Sequence, residues 1–422
     1  MAPLRILQRR NQLALLGVIF LVLGFGTARP AVLYFAVVFL FMLVLGYVTS
    51  TTLLPHVSAS REAHPRAFQG DTVNVALTIR NASVFPLSLV EIEDFFAPDE
   101  VPSKRLLVSE AVRARSICRV EYPGTCMKRR GMYTIGPIKL TLSDPLGLFE
   151  PRRTIGQTMD FAVYPEILPL ERVPIEGRSN VFSFGRENSL LAGRSLDFFG
   201  VREYTPGDPI RHIHWPSTAR IGRLVVREFE RTVTDQVTLL LDLQRDSIAG
   251  LGEHSTPEYV IKMAAALTHY SVQRGHEVQL LGVGEAALEV PFGRGSGHEA
   301  FVLEELAKAR PRGRTAMPIV LRFHLERIPD GSTLVMLFAS VSVPMEAFVD
   351  AWALLRSRGV RLMAVLIDDT TFLQLERFRP RRDGISIELV EARSRLLDAG
   401  IPTVIVSHGD DLAKALGSFP SV

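Results

Sequence analysis

Apolar positions along the chain follow three regimes. In the first, the 18 residues between Arg10 and Arg29 (NQLALLGVIFLVLGFGTA) carry no charge, and after Arg29 no Asp, Glu, Lys or Arg occurs until Arg61. Within that second gap, Ala31 to Val48 is apolar but for Gly46 and two tyrosines. A helix needs about 20 residues to cross the ~30 Å hydrocarbon core. Proline cannot continue a helix, so Arg29-Pro30 marks a tight turn. In lipid each segment must satisfy its own backbone, and the pattern predicts a two-helix transmembrane hairpin over residues 1–55. Arg5, Arg9, Arg10, Arg61 and Arg66 fall on one side and only Arg29 between the spans. The positive-inside rule then predicts a multi-pass protein of the plasma (inner) membrane with its soluble body in the cytoplasm. A signal peptide ending at Gly26-Thr27-Ala28 is the rival reading. The second apolar segment would still anchor the mature chain.

The second regime alternates with a period of two. Asp71 to Arg80 (DTVNVALTIR) places Val73, Val75, Leu77 and Ile79 on one face. Leu87–Ile92, Arg115–Tyr122, Gly131–Ile135, Ile138–Leu142 and Asp160–Tyr164 read likewise as strands. This spacing predicts an Ig-like β-sandwich over 56–165. Residues 166–232 are irregular. Gly177 to Ser195 reads as a mobile loop. Ser195 to Glu230 is a charged motif with a turn at Pro206-Gly207-Asp208-Pro209, and Ile210–Trp215 and Leu224–Phe229 alternate like strands.

The third regime, 233–422, alternates apolar strands with helices. Strands are predicted at Gln236–Leu243, Glu277–Val283, Thr333–Ala339, Val360–Ile367 and Thr403–Val406, with an edge strand at Ala287–Pro291. Helices are predicted at Pro257–Arg274, Glu299–Ala309, Thr315–Arg327, Met345–Arg358 and Glu391–Ala399. All-apolar strands between helices argue a doubly wound parallel sheet covered on both faces. The fold class is therefore α/β and β.

Composition narrows the function classes. The net charge is only +3, and the basic clusters Lys128-Arg129-Arg130 and Arg379 to Arg382 are short and far apart, reading as solvated loops. No nucleic-acid partner is expected. Two cysteines, Cys118 and Cys126, are no disulfide framework and read as reduced thiols in the cytoplasm. No phosphate loop and no GxSxG elbow occur. Gly293 to Gly297 (GRGSG) lacks the lysine and hydroxyl of a nucleotide loop. The expectation is a chain that is not an enzyme and has no catalytic residues.

The run Arg202-Glu203-Tyr204, Pro206-Gly207-Asp208, Arg211, Ile213, Trp215, Ala219-Arg220, Leu224 and Arg227-Glu228 resembles the hallmark of the "domain of unknown function 58" proteins of bacteria and archaea. Arg130 to Pro137 (RGMYTIGP) and Asp144 to Phe149 (DPLGLF) look like their second motif. The resemblance covers essentially the whole chain. It implies two N-terminal membrane helices, a β-sandwich and a von Willebrand factor A-like C-terminal domain over 233–422. It also implies a protein partner, a MoxR-type AAA+ ATPase.

Three candidate sites follow. Metal-binding von Willebrand A domains hold Mg²⁺ with oxygen ligands at the carboxyl edge of the sheet. Here Asp242, Gln244, Asp246 and Thr315 occupy the matching positions, as a degenerate set in which Gln244 and Asp246 replace serines. The expectation is no cofactor. His212-x-His214 would share one face of a strand and could hold a metal, but no third ligand stands out. The charged motif itself, with Arg202, Tyr204, Gly207, Asp208, Arg211, Trp215, Arg220, Arg227 and Glu228, reads either as an internal ion-pair network or as a docking surface. The reading for the whole chain is a membrane-tethered interaction protein, with a divalent-metal-dependent ligand binder as the alternative.

Overall fold

The computed structural model describes residues 3–27, 29–87, 89–108, 110–144, 147–175, 197–205, 213–230, 235–341, 345–372 and 387–419. The chain is a mixed α/β protein with two apolar N-terminal helices and several sheets. It divides into two compact units, one made of 1–168 with 300–310, the other of 169–299 with 311–422.

In the first unit the apolar segments form helices Pro3–Thr27 and Pro30–Leu53. Both are long and apolar enough to cross a membrane by length and composition. Phe20 packs against Phe35 and Phe39, with ring centroids 5.8 and 5.7 Å apart.

The strands of this unit fall into three sheets around one core, rather than the two of a simple sandwich. Val57–Glu62, Thr72–Asn81 and Ile117–Thr125 form the first, in that order. Arg66–Phe68, Met159–Tyr164 and Gly131–Ile135 form the second. Ser103–Val108, Leu89–Phe95, Ile138–Ser143 and Arg152–Ile155 form the third. Alternation works as the sequence demands: Val73, Val75, Leu77 and Ile79 all enter the core with Ile92, Phe96, Leu140 and Phe161. Cys118 and Cys126 are free thiols, and burial pushes the Cys126 thiol up to about 11.

An ion pair sits inside this core. The Arg61 side chain is 2 % exposed and that of Asp94 fully buried. Arg61 Nε donates to Asp94 Oδ2 at 2.9 Å, and the Tyr122 hydroxyl donates to the same oxygen at 2.7 Å. Burial, with the Asp94 charge second, pushes the Tyr122 phenol far up. Arg61, one of the basic residues on the side predicted to be cytoplasmic, is neutralised by Asp94 in the core. Gly136 makes room for it. With φ +99° this residue lies where an added Cβ would meet the Gln157 carbonyl at 2.6 Å and the Arg61 guanidinium at about 3.0 Å.

The two phrases of the second motif also become structural here. Arg130 is buried, not solvated as the basic cluster suggested. It donates to the carbonyls of Leu306, Ala307 and Ala309, supplying donors where a helix end leaves carbonyls unpaired. The Asp144 carboxylate accepts from the backbone N–H groups of Leu148 and Phe149, both at 2.7 Å, which turns the loop so that Phe149 meets Tyr47 edge-on.

The second unit is built on a six-stranded sheet in the order Ala287–Gly293, Glu277–Val283, Gln236–Leu241, Thr333–Phe338, Arg361–Ile367, Thr403–Val406. Five strands are parallel and Ala287–Gly293 is an antiparallel edge. Thr333–Phe338 is buried along its whole length and Gln236–Leu241 from its second residue on, because helices cover them. Thr256–Gln273 is the best buried of these helices.

Gly313 stitches the loop after the Gly295–Lys308 helix to the sheet. Its N–H donates to Leu243 O (3.0 Å) and its carbonyl accepts from Arg245 N (2.8 Å). A Cβ there would lie 2.1 Å from the Val283 carbonyl. Gly313→Ala should therefore cost about 1–3 kcal/mol through overpacking, read as a lower urea midpoint of the detergent-solubilised chain.

Candidate functional site

In the six-stranded sheet the strand order reverses between Gln236–Leu241 and Thr333–Phe338. Ligands of open α/β sheets bind outside the carboxyl ends of the strands at such a point. Asp242 ends the first of these strands and is 2 % exposed. Its Oδ1 accepts from Gln244 N at 3.1 Å, and its Oδ2 from Ala339 N at 3.2 Å, at the end of the neighbouring strand. Burial raises its carboxyl above the ordinary range, against the hydrogen bonds from Gln244, Ser247 and Ala339.

The other members of the predicted metal set do not converge on it. A 3₁₀ turn over Arg245–Ser247 carries Asp246 outward, where it is exposed. Gln244 is half-buried and bridges to Gly313 through its backbone. Thr315 is half-buried in the loop before the Met317–His324 helix. Among the described residues no three His, Cys, Asp or Glu side chains group as metal ligands.

Sequence reasoning missed further oxygen groups at the carboxyl ends of the next two strands of the sheet. Ser340, which follows the Thr333–Phe338 strand, donates its hydroxyl to Asp369. Asp368 and Asp369 follow Arg361–Ile367, the next strand of the sheet. Asp368 Oδ1 accepts from the Thr370 N–H and hydroxyl. Burial raises the Asp369 carboxyl, and the neighbouring charges of Asp368 and Glu388 push the same way against the Ser340 hydrogen bond. The signal was legible: an all-apolar strand ending in Asp-Asp-Thr-Thr. The rim thus holds hard oxygen donors of the kind that suit Mg²⁺, but Asp242 already serves two backbone donors.

These carboxyls set a pH dependence. Asp242 and Asp369 hold their protons more tightly folded than unfolded, where the ordinary value is 3.8. The folded state therefore binds more protons above that value, and stability falls as pH rises through the raised values. Asp369→Asn should flatten the slope of the urea midpoint against pH above the ordinary carboxylate value of 3.8 relative to wild type.

The charged motif lies on a second feature of this unit. Asp197–Glu203 pairs antiparallel with Val225–Glu230. The backbone of Arg202 pairs with Val226, that of Arg227 with Val201, and that of Glu228 with Gly200. Tyr204 is half-buried, and its N–H donates to Leu224 O at 2.8 Å. Gly207, Asp208, Arg211, His212, the turn at 206–209, the loop at 177–195 and the basic cluster at 379–382 lie outside the described residues.

Ile210–Trp215 was read as a strand, but Trp215 opens the helix Trp215–Ile221. Pro216 fits its first turn, where the missing N–H costs nothing, and Gly222 closes it in the left-handed region at φ +73°. His214 precedes the helix, with Nδ1 2.7 Å from Ser217 Oγ. His214 itself is on no strand, and the other half of the predicted pair, His212, lies outside the described residues. The inner side is pinned: Ile213 bridges to Val226 and is buried, His214 N donates to Val225 O at 2.7 Å, and Val225 N to Thr218 Oγ1 at 3.1 Å. None of the helix residues is buried. Trp215 is 62 % exposed, Ile221 and Leu224 are exposed, and so is Arg220. Arg223 pairs with Glu203 at 3.3 Å on the surface.

A family model described as "Protein of unknown function DUF58" matches residues 200–341, which span this helix, most of the paired strands and four of the six strands of the sheet. An uncharacterized protein of Bacillus subtilis (strain 168), YeaD, is 26 % identical over 257 residues, 57 % of this chain. The chain covers 59 % of that relative's length. Among solved structures, the CARDB domain of the PF1109 protein from Pyrococcus furiosus is similar at TM-score 0.20 and 12 % identity, over 26 % of this chain and 94 % of that one. The PKD domain of an M14-like peptidase from Thermoplasmatales archaeon SCGC AB-540-F20 is similar at TM-score 0.18 and 10 % identity, over 26 % and 93 %.

Proposed function

We propose that this chain is a membrane-tethered, non-enzymatic interaction protein that offers the Trp215 helix to a protein partner. The observation that carries the reading is the exposure of Trp215, 62 %, at the start of a short helix held to the neighbouring strand by the His214 N to Val225 O and Val225 N to Thr218 Oγ1 hydrogen bonds. A largely exposed tryptophan is the residue type most enriched, with Tyr and Arg, at interface hot spots. An internal ion-pair network would instead require these charges to be enclosed, and Arg220 and the Arg223–Glu203 pair are solvent-facing.

Several features support the rest of the reading. The helices Pro3–Thr27 and Pro30–Leu53 have the length and composition of spans. With Arg61 held by Asp94, the cytoplasmic orientation rests on Arg5, Arg9 and Arg10 before the spans and Arg66 after them, against Arg29 between. The strand order and the antiparallel edge support a von Willebrand A-like C-terminal domain. The resemblance to domain of unknown function 58 proteins names the partner class, a MoxR-type AAA+ ATPase. The matching surface should combine an apolar pocket for the indole with acidic groups for Arg220. Co-purification of the ATPase with the detergent-solubilised chain, wild type against Trp215→Ala, tests this; equal recovery with a folded variant removes the docking site.

A further inference from the structure

The carboxyl edge of the six-stranded sheet carries a second constellation that the docking reading does not use. The two-stranded ribbon Gly250–Leu251 and His254–Ser255 follows the Gln236–Leu241 strand, and its register sets His254 opposite Leu251. His408 lies in the turn after Thr403–Val406, at the far end of the sheet order. The fold brings the two together: His408 Nε2 and His254 Nδ1 lie 3.3 Å apart, with the rings at 69° and their centroids 5.2 Å apart.

His408 is held in place. Its backbone N–H donates to Thr371 Oγ1 at 2.9 Å, and the next residue, Gly409, donates to the Tyr259 hydroxyl at 3.2 Å. The Phe372 ring meets the imidazole edge-on at 5.1 Å, and the Tyr259 ring lies 6.2 Å away. His254 is exposed and His408 half-buried, so the pair is open to solvent on one side.

We infer that His254 and His408 form a two-histidine site for a divalent transition metal such as Zn²⁺. The separation is the reason. Two imidazole nitrogens bound to one zinc at about 2.0–2.1 Å in tetrahedral geometry lie about 3.3 Å apart. The ion needs both rings neutral on the ligating nitrogens. Burial, then the neighbouring His254, lowers the pKa of His408 and favours that state. Imidazole nitrogens select zinc, copper and nickel over magnesium, which distinguishes this site from the oxygen-lined rim around Asp242. Among the described residues no third His, Cys, Asp or Glu completes a ligand set. The remaining two positions of a tetrahedral ion fall to water or to exchangeable ligands.

Thermal unfolding and calorimetry on the detergent-solubilised full chain test the assignment, with ZnCl₂ and NiCl₂ as probes and MgCl₂ as control. Binding to the folded state alone raises the unfolding midpoint with ion concentration. The wild type should show this rise with Zn²⁺ and Ni²⁺ and no comparable response to Mg²⁺. His254→Ala and His408→Ala should each weaken Zn²⁺ binding by about tenfold or more. His254 is exposed and its replacement leaves the core intact, so it decides the matter alone if His408→Ala does not fold. Absence of a Zn²⁺ response in the wild type, or equal responses in wild type and His254→Ala, overturns the inference.

Discussion

Asp94→Ala should destabilise the chain by about 3–5 kcal/mol, the cost of leaving one partner of a buried ion pair uncompensated. The Arg61 guanidinium would lose its carboxylate in a site where its side chain is 2 % exposed. The Tyr122 hydroxyl would lose its acceptor as well. The remaining acceptors of Arg61, the carbonyls of Ile135 and Gln157 at 3.3 and 3.4 Å, are neutral and cannot offset a full charge. Urea unfolding followed by circular dichroism in detergent measures the loss. The double replacement Arg61→Met with Asp94→Leu should recover most of it, because buried pairs exchanged for apolar groups of similar volume are often neutral in stability. An Asp94→Ala transition within about 0.5 kcal/mol of wild type would show that the charge escapes to water.

Trp215→Ala should lower affinity for the protein partner by about thirtyfold or more, the 2 kcal/mol that marks a hot-spot residue. The same change should leave stability within about 0.5 kcal/mol, since the residue is 62 % exposed. Trp215→Phe should fall between, keeping the ring and losing the indole N–H. Arg220→Ala should weaken binding less and mainly at low salt, as expected for a charge at the rim of an interface. Titration of the proposed ATPase partner against immobilised chain separates these outcomes. Affinity unchanged in Trp215→Ala would move the docking surface elsewhere on the body.

Much of the fold was readable from periodicity. Glu277–Val283, Thr403–Val406 and Gly131–Ile135 are strands with the predicted bounds. Long buried strands and alternating strands are both set by which positions must avoid water, and that is a local property of the sequence. Short or polar strands were not seen. Val57–Glu62, Ser103–Val108 and Arg152–Ile155 have weak alternation and are strands because a neighbour completes their ladder. The helix at Trp215 was read as a strand because Ile213 and Trp215 alternate with polar residues; its proline in the first turn was the overlooked sign.

The candidate sites divide the same way. Asp242 was placed correctly at the end of its strand, because a carboxylate after an apolar run is a sequence feature. Its commitment to Ala339 N, 97 residues on, was not legible. Likewise Arg130 and Arg61 read as surface charges until their partners, distant in sequence, enclosed them. His254 and His408 stand 154 residues apart, and no spacing rule connects them.

By itself, then, the sequence determined two apolar helices, the period-two stretch and the alternating strands and helices, because each follows from how consecutive residues partition between water and an apolar surrounding. Only the tertiary structure decided which charges are buried, which tryptophan faces solvent and which histidines meet. Those outcomes depend on pairings across the sheet and between loops, where chain neighbours carry no information about spatial ones.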